Sequence, residues 1–216
     1  MMENLVNIII YIHAFFGGIG LVAGTAVMII KKGNSTHKKV GKIFSIGMLV
    51  SSVLSLIICA FPNHHNSFLI MIGIFTIYMI LIGNRILNYK RKNYSNNLDK
   101  IISGAMFITS IVMIVFGLLP LFTSNAIGLL YLIFGFLGGF MSYRDFVFYK
   151  NPENYKKWTM NHVGKMVGAY IASVTAFLVA GAGFGDNIYF WIVPSIIGTI
   201  YIFSWSKKLN KKVAVN

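Results

Sequence analysis

Seven apolar stretches alternate with short polar connections along the chain. Each holds roughly 17 to 25 residues, enough for a helix to cross a ~30 Å hydrocarbon core at about 1.5 Å of rise per residue. They run from Leu5 to Ile30, Ile43 to Phe61, Phe68 to Leu87, Ile101 to Phe122, Ile127 to Tyr143, Val163 to Gly183 and Ile188 to Trp205. The breaks carry turn-forming and charged residues, as in Lys31 to Lys42, Pro62 to Ser67 and Asn88 to Lys100. The pattern predicts an all-α, polytopic integral membrane protein: one membrane domain over residues 1–216 with seven transmembrane helices in a single bundle. The first stretch is expected to stay in the mature protein. Its flank Met1-Met2-Glu3-Asn4 has no basic region, and its apolar run outlasts the ~7–15 residues of a cleavable signal.

Composition agrees with lipid as the solvent. The chain is 56% hydrophobic and 11% charged, against about 25% charged residues in soluble domains. The net charge of +14 is explained by the bias of Lys and Arg toward cytoplasmic loops, so nucleic acid is not an expected partner. All nineteen Lys and Arg fall in the connections after the first, third and fifth stretches, at the edges of those stretches, or in the tail. Glu3 and Asp186 are the fixed charges of the other face, with His64 and His65 beside them. The positive-inside rule then predicts an outer N-terminus, a cytoplasmic C-terminus and a multi-pass protein of the bacterial plasma membrane. The single cysteine, Cys59, permits no intrachain disulfide and reads as a small buried helix residue. Trp191 and Trp205, near stretch ends, read as interface anchors.

An internal repeat is also expected. The string Val-Gly-Lys recurs at Val40 to Lys42 and Val163 to Lys165, with His37 and His162 just ahead of it. Stretches one to three and five to seven would then be parallel repeats joined by the fourth.

Candidate chemistry concentrates on histidines. His13, Gly17, Gly20 and Gly24 are spaced by four, three and four, which keeps them in one stripe of the first helix. Two readings stand: a small-residue seam for close helix packing, or a groove that admits a flat cofactor ligated by His13. The second helix carries a polar seam of Gly41, Ser45, Met48, Ser52, Ser55 and Cys59, and the sixth repeats the theme with His162, Met166, Ala169 and Ser173. On the basic side His37, Arg85, Arg144 and His162 are expected near one depth, with Asn84 and Tyr143. Such a cluster suits a carboxylate or phosphate head group, while arginine snorkelling is the plainer alternative. His64 and His65 are candidates for an outer metal or cofactor contact.

Several classes are excluded on the same reading. The seventh stretch has no lysine for a retinal Schiff base, and none of the five acidic residues falls inside an apolar stretch, which removes membrane zinc hydrolases and carboxylate relays. No phosphate-binding loop, CxxC or nucleophile elbow occurs.

The residues His13, Gly17 and Gly24, then Lys32-Gly33, His37-Lys38, Gly41-Lys42-Ile43-Phe44 and Met48, together resemble a group of bacterial membrane proteins called domain-of-unknown-function family 2306. The later residues His162, Met166, Gly168, Tyr170-Ile171-Ala172, Thr175-Ala176-Phe177, Trp191, Pro194 and Gly198 carry the same resemblance. It implies a helical membrane bundle and no particular activity. The chain is also loosely similar to cytochrome b561-like proteins, without their paired intrahelical histidines. Binding of haem b or another histidine-ligated cofactor, with a redox role, is the leading expectation. His37 with His162 would form an inner pair, and His13 with His64 or His65 an outer one. Small-molecule or lipid transport is the alternative, and a non-catalytic assembly or sensory role a third. The expected partners are the lipid bilayer and a small-molecule ligand.

Overall fold

Glycine against backbone brings the first two helices together. In the computed structural model, which describes residues 2–91, 94, 96–119, 126–150, 157–185 and 187–214, helix α1 spans Met2–Ile29 and α2 spans Ser35–Cys59. A Cβ at Gly47 would stand 2.9 Å from the Phe16 carbonyl and 3.1 Å from the Gly20 nitrogen. The turn between them uses Gly33 in the left-handed region, at φ +86°, a conformation that costs glycine nothing. Lys32 Nζ donates to the Val27, Met28 and Ile30 carbonyls at 2.6, 2.8 and 3.3 Å, closing the end of α1. The Asn34 side chain accepts from the His37 amide at 2.7 Å and starts α2.

The remaining helices are α3 (Ser67–Arg85), α4 (Asn97–Leu118), α5 (Ala126–Lys150), α6 (Trp158–Ala176, continued by a π-helical segment Phe177–Gly181) and α7 (Tyr189–Ala214). Seven helices among the described residues are long and apolar enough to cross a membrane. Helix α3 is the hub, lying against α2, α4 and α6. Its Phe75, Met79, Ile80 and Ile82 are fully buried. Gly83 and Gly168 bring α3 and α6 close, because a side chain at either would meet the thioether of Met166 or of Met79. Helices α1 and α7 turn large apolar side chains outward, among them Tyr11, Val22, Ile200 and Phe203, as lipid-facing helices do.

Contacts sort the chain into two ends. His64 meets Glu3 at one end, whereas at the other Tyr201 reaches the Met28 carbonyl and Lys32 lies over the Trp205 ring. The second end gathers the basic connections and is called the basic end below.

Three expectations change. Helix α2 begins at Ser35, α5 runs to Lys150, and α6 begins at Trp158, each beyond its apolar stretch. Hydropathy marks the hydrocarbon slab, while backbone hydrogen bonding carries the helix past it. As a result Glu3, Asp99 and Asp145 all lie inside helices, and Lys165 sits two turns into α6. The repeat is not reproduced in the packing: α1 lies along α2, but its counterpart α5 lies along α4 rather than α6. Lys92, Lys156, Asp186 and the connection at 123–125 lie outside the described residues.

Candidate functional site

At the basic end a cavity of about 800 Å³ opens between α1, α2, α3, α6 and α7. His37, from the first turn of α2, and His162, from the first turns of α6, both line it, so the structure brings together the two residues that precede the Val-Gly-Lys strings. Lys32, Lys38, Lys42 and Lys90 stand around them, and among the described residues no Asp or Glu does. Phe44, Trp158, Met166, Tyr170 and Trp205 supply aromatic and apolar wall. The mouth is therefore cationic and the interior greasy.

The two histidines differ in their commitments. The His162 Nδ1–H donates to the Gly83 carbonyl at 2.7 Å, which fixes its tautomer and leaves Nε2 as the acceptor. Gly83 offers that carbonyl because its missing side chain lets α6 come close. The His37 Nδ1 is buried without a partner, an uncompensated polar atom beside the cavity. Burial of Lys32 lowers its pKa, since desolvation disfavours the ammonium. Lys90 lies over the Trp158 ring at 4.2 Å, and Asn84 donates to Ser45 Oγ at 3.0 Å, which joins α3 to the polar seam of α2.

The other sequence candidates sit elsewhere. His13 is locked to α2: its Nδ1 donates to the Ser51 carbonyl at 2.8 Å, and the Ser51 hydroxyl donates back to the His13 carbonyl at 3.1 Å. Below it the glycine stripe is occupied by protein, with Ser51 against Gly17, Met48 against Gly20, and Tyr170 and Phe44 against Gly24. Gly17 and Gly20 thus pack against α2, while Gly24 also borders the basic-end cavity. His64 lies 3.0 Å from Glu3, and His65 donates to the Cys59 carbonyl at 3.1 Å. Neither forms part of a three-residue metal cluster, none of which exists among the described residues. Arg85 is spent on Asp99 and on the Tyr94 hydroxyl, the latter at 2.7 Å. Desolvation and the adjacent Asp99 raise the pKa of Tyr94. Arg144 is exposed, 5.9 Å from the Phe140 ring, and neither arginine lines the cavity.

A second polar centre escaped the sequence reading. Asp145 of α5 receives Lys165 of α6 at 2.8 Å, the Tyr78 hydroxyl of α3 at 2.5 Å and the Ser103 hydroxyl of α4 at 3.0 Å, all on Oδ2. Ser103 also meets the Tyr149 hydroxyl at 2.9 Å. Asp145 and Lys165 are 4% exposed each, so this is an ion pair closed off from water. Its amine donates to Asp145 and to the Tyr78 hydroxyl and does not line the basic-end cavity. The available signal was an acid just past the end of the fifth stretch and a lysine just inside the start of the sixth. Counting those stretches as whole helices hid it.

In comparisons with known proteins, no family model, no curated protein and no solved structure matches this chain.

Proposed function

We propose that this protein binds an anionic small molecule in the basic-end cavity, with its charge at the lysine-lined mouth and His37 and His162 as the polar contacts within. The observation that carries the reading is His37 Nδ1, buried and unpartnered beside a cavity lined by four lysines and, among the described residues, by no carboxylate. A buried polar atom left without a partner costs about 1–3 kcal/mol, and a ligand acceptor or donor there removes that cost. In the bilayer the bias of basic residues gives the orientation: N-terminus outside, C-terminus and cavity mouth cytoplasmic, in a bacterial plasma membrane.

Haem b is the second reading, favoured by one feature. An imidazole whose Nδ1–H is held by a backbone carbonyl presents Nε2 in the manner of metal-ligating histidines, and His162 is held so by Gly83. His37 would supply the second ligand and the lysines would face carboxylate substituents. The absorption spectrum of protein purified from cells supplied with haem separates the two. A Soret band lost in both His37→Ala and His162→Ala supports haem. A colourless protein that binds inorganic phosphate or a phosphomonoester, more weakly in Lys42→Glu, supports the general anion reading. A colourless protein that binds neither contradicts both.

A further inference from the structure

A second cavity of about 410 Å³ lies between α6 and α7 and shares four wall residues, Met28, Val167, Tyr170 and Tyr201, with the basic one. Among the described residues, no charged one lines it. Its tyrosines at the junction present rings rather than hydroxyls, because Tyr170 is bonded to Thr25 at 2.6 Å and Tyr201 donates to the Met28 carbonyl at 3.2 Å. The two spaces thus adjoin across these four residues, a cationic one beside an apolar one.

The apolar space opens sideways. Tyr189, Val193 and Ile197 line it from α7 while remaining 69%, 44% and 63% exposed on the outer surface of the bundle. Two departures from regular helix border it. Pro194 removes a backbone donor within α7, and the α6 ladder passes into the π-helical segment at Phe177, whose Leu178 is a wall residue. Gly198 lets the Ile171 side chain lie flat against α7, which forms the floor.

We propose that the occupant is a membrane lipid with an anionic phosphate head: the head rests among Lys42, His37 and His162, and the chain lies between α6 and α7, entered from the bilayer. This rests on the anion reading of the basic cavity and adds the chain, the entry route and the lipid source. A lone water-soluble anion would leave the α6–α7 space unused. The adjacency of the two cavities and the match of cationic mouth to anionic head favour the lipid.

The test compares oleoyl lysophosphatidic acid with glycerol 3-phosphate, the same head without the chain, on purified full-length protein in one detergent by native mass spectrometry and titration. The lysolipid should bind at least about tenfold more tightly, the worth of roughly two buried methylenes. Ile197→Trp, at an exposed position where folding tolerates bulk, should plug the side opening and bring lysolipid affinity down to the head-group level with glycerol 3-phosphate unchanged. Val193→Trp repeats the test from the neighbouring turn. Because the micelle is the same, partitioning into detergent cannot mimic the variant effect. Equal affinity for the two probes, or a lysolipid preference that survives both tryptophans, overturns the lipid proposal while the anion reading stands. Failure of both probes to bind the unaltered protein overturns the anion reading and this proposal with it.

Discussion

Lys165 Nζ lies 2.8 Å from Asp145 Oδ2, a charge pair that ties α6 to α5 inside the bundle and draws in Tyr78 from α3 and Ser103 from α4. Four helices meet at one carboxylate oxygen. Removing one partner leaves the other charge buried and uncompensated, which typically costs about 3–5 kcal/mol. Asp145→Asn and Lys165→Met should each lower the unfolding temperature in detergent sharply. The double variant should be more stable than either single one, because it leaves no unpaired charge. Equal or additive losses would mean that the pair does not act as a unit.

Packing of α1 on α2 gives a contrast within one helix. A Cβ at Gly20 would stand 2.6 Å from the Met48 Cε and 3.2 Å from its backbone nitrogen, whereas one at Gly18 meets nothing within 4 Å. Gly20→Leu should cost on the order of 1–3 kcal/mol by overpacking, and Gly18→Leu should be silent. Thermal unfolding of the two variants side by side checks it; equal behaviour would place this face of α1 away from α2.

His13 is expected to be a packing residue. Its reciprocal bonds with Ser51 account for its ring nitrogen and its carbonyl, and it lines neither cavity. His13→Ala should lower stability by about 1 kcal/mol, the usual worth of one such bond, and leave phosphate or haem binding at the basic end unchanged. Loss of ligand with stability intact would restore His13 to the site.

Orientation follows from charge. Starting from a Cys59→Ala background, an impermeant thiol reagent applied from outside intact cells should label Asn66→Cys and spare Asn96→Cys. The reverse pattern would place the basic end, and the cavity mouth, outside.

The number of helices was legible because apolar length is a direct physical signal, and all seven stretches became helices. The glycine stripe was legible as a close-packing seam, and Ser51 and Met48 lie against Gly17 and Gly20, while Gly24 also borders the basic-end cavity. Pairing His37 with His162 was legible from their places at the start of two basic-side helices, though not the cavity that they share, which depends on how α7 closes against α1. Arg85 was misplaced because its partner Asp99 belongs to the next helix, and no local pattern announces a contact across a turn. Asp145 was hidden by a hydropathy boundary that stops at Tyr143, and Lys165, just inside the sixth stretch, was counted with the basic connection, although a charge paired across two helices is tolerated within the bundle.

The central claim is that His37 and His162 hold an anionic ligand in one cavity, and native mass spectrometry of protein purified in mild detergent tests it most directly. The unaltered protein should carry an anionic adduct, lipid or haem, and the His37→Ala, His162→Ala double variant should lose it with the fold retained. An unaltered protein that carries no anionic adduct even with phosphate-headed lipid and haem supplied, or an adduct that the double variant keeps in full, would contradict it.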